Sequence, residues 1–222
     1  MDLAASRADR KFAASGSWIR GEDIGKLTGS GIQIMSDFPI TEVHKRPFPA
    51  FACAGYDCLS NKGMMLAVID LVPLKTHVQV GNIHMNSKRH SMVSQARQAF
   101  AYERQVDTAH AFFRQFYDAR YPMVFGGDFN IGQNAGRARY LFGKRWPIQL
   151  RTDSLRRLAA RSDLTPDAQK AVARSADWQF ATSGSKALLE PVSVDVPFGT
   201  SGSDVPLSDH IGYTINYSIQ KK

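Results

Sequence analysis

Apolar positions along the chain fall into short runs, broken once by a long stripe at helical spacing. Ile32–Met35 reads as a short strand after a Gly-rich loop, and Ser36–Ile40 as a turn. Met64–Val72 is apolar but for Asp70 and carries β-branched residues, with Pro73 as its stop, and Thr76–His84 is its hairpin partner. Phe48–Cys53 reads as a further strand. Val93, Ala96, Phe100, Val106, Ala109, Phe113 and Phe116 recur every three or four residues, the pattern of an amphipathic helix that Tyr121-Pro122 ends. Met123–Phe129 follows as a buried strand, and Ala135–Ser175 as a helical segment. Within that segment Thr165-Pro166-Asp167 supplies a cap hydroxyl, a first-turn proline and an acid at the positive dipole end. Trp178–Thr182, Val192–Val196 and His210–Ile219 complete the strands, while Met1–Trp18 reads as a short helix or a frayed start. The alternation predicts an α/β (α+β) fold, a four-layer sandwich of two packed mixed sheets flanked by helices.

Length refines this to one domain: 222 residues, 43% of them hydrophobic, suffice for one sizeable core. Residues 1–28 form an N-terminal helix-and-loop segment and residues 29–222 the domain. The net charge of +8 and the pI near 9.6 favour anionic partners. Most of that charge lies in one stretch. Arg137, Arg139, Lys144, Arg145, Arg151, Arg156, Arg157 and Arg161 face only Asp153 in sequence, a local excess of +7. Tyr140, Phe142 and Trp146 are interleaved with them, which suits nucleic acid, an anionic membrane surface or a solvated helix face alike. Cys53 and Cys58 are too few for a zinc cluster and read as buried free thiols, with a disulfide as the alternative in an exported protein. Met1–Lys11 lacks the apolar core of a secretory signal, and no run is long enough to span a membrane.

Candidate chemistry sits where polar residues abut the apolar strands. Asn82-Ile83-His84 closes one strand and Gly126-Gly127-Asp128-Phe129-Asn130 another; Asp177-Trp178-Gln179-Phe180 opens a third, and Ser208-Asp209-His210 precedes the last. Any one of these is an ordinary turn or structural residue. Together and in this order, Asn-x-His, Gly-Asp-x-Asn, Asp-Trp-x-Phe and Ser-Asp-His resemble the endonuclease/exonuclease/phosphatase superfamily, from about Gly29 to Tyr217. The stretch Gly31–Ile40 resembles that family's Gly-x-x-Ile-x-Ser-x-x-Pro-Ile segment.

The resemblance implies metal-assisted phosphoester hydrolysis. Asp128 orients or deprotonates the attacking water, Asn130 and His84 donate to the phosphate, and Asp177 stands behind His210 to fix its tautomer. Asp209, helped by Asp128, serves a Mg²⁺ ion, or Mn²⁺. Asn82, Arg137 and Arg139 join the substrate-binding set. Lys62 is either a ligand for phosphate or part of a hairpin turn, and Asn61-Lys62-Gly63 resembles the sphingomyelinase and inositol-phosphatase branches.

One part of the pattern is missing. The family's strand Asn and metal-binding Glu precede the Gly31–Ile40 segment, yet no apolar strand ending in Gln-Glu lies between Met1 and Ile32, and Glu22 and Asp23 are not assigned that role. The expectation is an N-terminally truncated chain rather than a decayed one, since every downstream signal is present. Such a chain binds its ion weakly and exposes unpaired sheet edges. Localisation stays open: cytoplasmic on the sequence as it stands, exported if an upstream start carries a signal. Substrates in view are a phospholipid or small phosphodiester on a sphingomyelinase-like reading and DNA or RNA on a nuclease reading. A catalytically silent binding module is the alternative of another class.

Overall fold

The computed structural model describes residues 11–16, 25–89, 91–150, 153–197, 210 and 212–222. Among them are nine strands. A five-stranded sheet runs in the order β3 (Ile40–Pro47), β4 (Gly63–Leu71), β5 (Thr76–His84), β6 (Met123–Asp128) and β7 (Asp177–Thr182). Only β5 and β6 pair in parallel, and helix α1 (Gln95–Phe116) makes the crossover between them. β1 (Phe12–Ser15) pairs antiparallel with β2 (Gln33–Ser36), and β8 (Ala187–Asp195) with β9 (Thr214–Lys221).

The apolar run of β4 organises the core, because both faces of such a strand have to be covered. Met64 and Leu66 pack with Phe48, Ile83 and α1 residues Tyr102, Val106, Phe112 and Phe113, whereas Met65, Ala67 and Ile69 pack with Ala14, Ile32 and Ile34. Residues 64–67 have no exposed surface at all. Burying each large side chain there is worth about 1.5–3 kcal/mol.

Register then fixes the layers. Met65, Asn82, Gly126 and Gln179 are successive cross-strand partners and share one face. Met65 on that face meets β1–β2, and Gln179 donates to the Tyr217 hydroxyl of β9 at 2.6 Å. The two small sheets therefore cover the same face of the large one. Its other face carries α1 and α2 (Ala135–Gly143), while α3 (Ser154–Ala159) and α4 (Pro166–Arg174) pack Leu155, Leu158, Ala168 and Val172 onto Val194 of β8 and Ile215 of β9. This is the α/β sandwich the pattern predicts, although among the described residues the second sheet layer is two antiparallel pairs rather than one mixed sheet.

Several elements differ from expectation. Phe48–Cys53 is no strand: Pro47 and Pro49 flank Phe48, Pro49 cannot donate to a ladder, and the chain turns through two 3-10 turns, Ala50–Ala52 and Gly55–Leu59. Cys53 and Cys58 are not free thiols but form a disulfide across those turns. Part of the expected N-terminal helix is instead β1; Met1–Arg10 and 17–24, including Glu22 and Asp23, lie outside the described residues. Strand β3 escaped the pattern because its exposed, charged positions are those of an edge. The helical segment 135–175 is three helices. Thr165 caps the last as expected, its hydroxyl accepting from Ala168 N at 3.2 Å. In α1 the buried face is Ala101, Tyr102, Gln105, Val106, Ala109, Phe112 and Phe113. Phe100 lies off it, 46% exposed under the guanidinium groups of Arg97 and Arg104. No described helix is long and apolar enough to cross a membrane.

Leu66→Ala is expected to lower unfolding free energy by about 2–5 kcal/mol, and Val43→Ala on exposed β3 by no more than about 0.5 kcal/mol. Urea denaturation of both variants checks this; equal losses would contradict the two-faced burial of β4.

Candidate active site

A parallel pair ends at one edge of a sheet, and an antiparallel neighbour begins there. β5 ends on His84, β6 on Asp128, and β7 starts at Asp177; the three are direct cross-strand partners in a single row. Asn82 lies two residues back on the same face. The carboxyl edge of the parallel strands thus presents imidazole, carboxylate and carboxylate side by side, where open α/β sheets commonly bind ligands.

Gly127 makes the close pairing of β5 and β6 possible. Its φ is +136°, and a Cβ there would stand 2.1 Å from Ile83 O and 2.8 Å from Asn82 Oδ1. Past the strand, Asn130 turns back with φ +49°, an unusual value for a non-glycine residue. Its backbone N–H donates to Asp128 Oδ1 at 2.8 Å, and its amide Nδ2 donates to Asp128 Oδ2 at 2.6 Å and to Met85 O at 2.9 Å.

Both imidazoles aim at the same oxygen. His84 Nδ1 lies 2.9 Å from Ser30 O, an acceptor only, so Nδ1 carries the proton and Nε2 faces Asp128 Oδ2 at 3.5 Å. His210 Nδ1 lies 2.7 Å from Asp177 Oδ2, and its Nε2 is 3.9 Å from Asp128 Oδ2. Asp177 is held in turn: Ser175 Oγ donates to its Oδ2 and accepts from its backbone N–H, both at 3.0 Å. Arg156 donates to the backbone carbonyls of Ser175 and Asp177, pairs with Asp153, and lies 4.2 Å over the Trp178 ring. Asp153 accepts from Gln179 N, which ties α3 to β7.

Burial controls the charges. It pushes Asp128 up, against the pull of His84, and pushes His84 down, assisted by the Lys62 ammonium. Lys62 itself is 8% exposed, donating to Asp57 Oδ1 at 2.8 Å and to Met85 O at 3.0 Å. Asp57 also accepts from Ser87 N, next to the Cys53–Cys58 disulfide.

The structure thus brings Asn82, His84, Asp128, Asn130, Asp177 and His210 to one edge. It sets Lys62 and Arg137 behind the site rather than in it. Arg137 is 4% exposed and donates to Asn86 O and Asn130 O. Arg139 is exposed on α2. The basic stretch is broken up as well, since Lys144 pairs with Asp107 of α1 and Arg156 with Asp153. Ser208, Asp209 and Arg151 lie outside the described residues. Sequence reasoning missed Ser30 and Gln33, whose carbonyls hold His84 and the Asn82 amide. It also missed Ser175, although a Ser two residues before an Asp is a local turn signal.

No family model and no curated protein matches the chain. Solved structures do. Beta toxin of Staphylococcus aureus superposes with a TM-score of 0.63 at 15% identity, over 99% of this chain and 81% of that one. Sphingomyelinase C of Streptomyces griseocarneus gives 0.56 at 16%, over 96% and 79%. An endonuclease/exonuclease/phosphatase of Beutenbergia cavernae gives 0.50 at 20%, over 83% and 46%. The chain has the endonuclease/exonuclease/phosphatase fold. Against a β-hairpin deletion mutant of the toxin it spans 64% of its own length and 52% of the other's, with a TM-score of 0.53 at 17% identity. One toxin structure carries bound magnesium ions. Among the residues described in this chain, no three His, Cys, Asp or Glu side chains converge as metal ligands. A hard ion such as Mg²⁺ wants several oxygens, and at the described edge both oxygens of Asp128 already accept from Asn130. By themselves these residues do not make a Mg²⁺ site.

His84 gives a pH signature. Its folded pKa lies below the unfolded value of about 6.5, so the unfolded state binds more protons and stability falls as pH drops from there through the folded pKa. His84→Gln is expected to flatten that fall in urea denaturation across pH 5–7, roughly the window of the unperturbed imidazole. An unchanged slope would contradict a desolvated, neutral His84.

Proposed function

We propose that this chain hydrolyses phosphodiesters or related phosphoesters. The observation that carries the reading is the row His84–Asp128–Asp177, closed by His210 so that two imidazole Nε2 atoms converge on Asp128 Oδ2. In this reading a water lies between Asp128 and His210. His210 keeps its Nδ1 proton, hydrogen-bonded to Asp177 Oδ2, which leaves the Nε2 lone pair to take a proton from the water. The water oxygen bonds to phosphorus in line with the ester oxygen, the P–O bond breaks, and the alkoxide takes a proton from solvent. Products are a phosphomonoester and an alcohol. Asn82 orients a non-bridging oxygen with the amide N–H that Gln33 O does not take, Asn130 holds the Asp128 carboxylate with an amide committed to Asp128 and Met85 O, and His84 donates from Nε2 once the arriving anion has raised its proton affinity. Lys62 acts through His84 rather than on the substrate.

Mg²⁺, or Mn²⁺, belongs to the proposal through Asp209 and Asp128 and through the magnesium in the related toxin structure. When bound it would neutralise charge on the phosphoryl oxygens. Sphingomyelinase C among the structural neighbours supports a phospholipid substrate. A separate observation favours a nucleic acid. Phe142, Trp146 and Trp178 line a hollow of about 600 Å³ with Lys144 and Arg145, which places stacking faces beside cationic groups.

Assays with Mg²⁺ against bis-p-nitrophenyl phosphate, sphingomyelin, DNA and RNA test the reading and separate its two substrate classes. His210→Ala is expected to lower kcat/KM on the preferred substrate by about 10²–10⁴-fold, the usual contribution of a general base, and EDTA to abolish turnover. Arg139→Ala, on an exposed helix face, should change kcat less than about threefold. Full turnover in His210→Ala would refute the assignment.

A further inference from the structure

Helix α3 grips both members of the pair Asp177–His210, each with a different side of the helix. Its apolar side packs Leu155, Leu158 and Ala159 against Val194, Val196, Tyr213 and Ile215. Val194 and Val196 precede His210 in the chain and Tyr213 and Ile215 follow it, so the helix holds both stems from which His210 reaches the edge. Its polar side holds the start of β7. Arg156 donates from Nη2 to Ser175 O at 2.5 Å and from Nη1 to Asp177 O at 3.2 Å. Asp153, the N-cap of the helix, accepts from Gln179 N at 3.2 Å.

Among the described strands β7 is the last in its sheet, and a strand there has backbone groups on one side that no strand answers. Backbone groups two residues apart point the same way, and those bonded by Arg156 and Asp153 belong to residues 175, 177 and 179. Two side chains of one helix thus stand in for a neighbouring strand. Arginine suits this as lysine does not. Its planar fork reaches two carbonyls and the Asp153 carboxylate together, and it lies 4.2 Å over the Trp178 ring.

We propose that Arg156 is a positioning residue: through the backbone of Ser175 and Asp177 it fixes the start of β7 so that Asp177 Oδ2 meets His210 Nδ1, while the other side of α3 carries the His210 stems. Ser175 is part of the device, since its hydroxyl donates to Asp177 Oδ2 and accepts from Asp177 N. One short helix thereby sets the distance between a carboxylate and an imidazole 33 residues apart in the chain. Arg156 touches neither the water nor the phosphate and acts only through Asp177. Its part in catalysis rests on the hydrolysis proposed above; its part in placing His210 does not.

The test reads both parts in the full chain. Proton–nitrogen NMR correlation from the carbon-bound imidazole protons reports the tautomer of His210 at about pH 8.5, well above an unperturbed imidazole pKa of about 6.5. The parent is expected in the Nδ1–H form that Asp177 selects, and Arg156→Met is expected to shift it toward the Nε2–H form; His210→Ala assigns the signals. Against bis-p-nitrophenyl phosphate with Mg²⁺, Arg156→Met should lower kcat by about 10- to 100-fold, the cost of a catalytic group displaced by about 1 Å, and change KM less than about threefold. Added to His210→Ala, it should cost no more than about a further twofold. Arg156→Lys keeps the charge opposite Asp153, but its single ammonium does not span both carbonyls, so both readouts should move in the same direction by less. That variant decides the matter should Arg156→Met not fold. Arg157→Met, at the exposed next position of α3, should match the parent in both. A His210 tautomer unchanged in Arg156→Met and Arg156→Lys would overturn the proposal, as would a kcat within about twofold of the parent in both. A parent that holds the Nδ1–H form yet turns over no phosphoester would refute the hydrolysis alone, and the tautomer would still decide the role of Arg156.

Discussion

Everything at the candidate site depends on the pairing register of β5, β6 and β7. Side chains alternate faces along a strand, so sliding β6 by one residue against β5 would turn Asp128 away from His84 and place Phe129 in its position. Gly127 holds the register locally, because its backbone passes so close to Ile83 that no side chain fits. The apolar run of β4 holds it globally. Since β4 is buried on both faces, β5 has one way to align that satisfies the α1 side and the β1–β2 side together. The parallel β5–β6 pair then ends both strands at one edge, and antiparallel β7 brings Asp177 back to it.

Around that row, polar groups are fixed mostly by backbone atoms rather than by other side chains. Ser30 O sets the tautomer of His84, and Asn130 saturates one side of Asp128. The buried Lys62–Asp57 pair braces the turn that follows His84, through Met85 O and Ser87 N. A buried ion pair adds little net stability against an apolar equivalent, but breaking one side of it is costly. Its value here is positional: it holds the segment 85–87 and biases His84 toward its neutral form. The Cys53–Cys58 disulfide closes the turns that present Asp57 to this pair.

The grouping of residues at the candidate edge was legible in the sequence because they sit at strand ends, next to apolar runs that announce themselves. Thr76–His84 and the Thr165 cap are found where the pattern puts them, and the sandwich follows from the alternation of elements. What was illegible depended on partners distant in the chain. β3 carries edge chemistry, and its apolar content does not distinguish it from a loop. The Phe48–Cys53 run looks like a strand until the prolines beside Phe48 and the disulfide impose turns. Lys62 and Arg137 bear the charge expected of phosphate ligands, yet Asp57 and the Asn86 and Asn130 carbonyls draw them inward. Asp107, thirty-seven residues before Lys144, neutralises part of a stretch that reads as uniformly basic.

The central claim is that Asp177 and His210 act as one unit across the edge from Asp128. A double-mutant cycle on phosphodiester hydrolysis, with His210→Ala, Asp177→Asn and both together, tests it most directly. If Asp177 works by orienting His210, Asp177→Asn alone costs rate, and added to His210→Ala it costs nothing further. Losses that multiply in the double variant would mean that the two residues act separately, and the proposed unit would not exist.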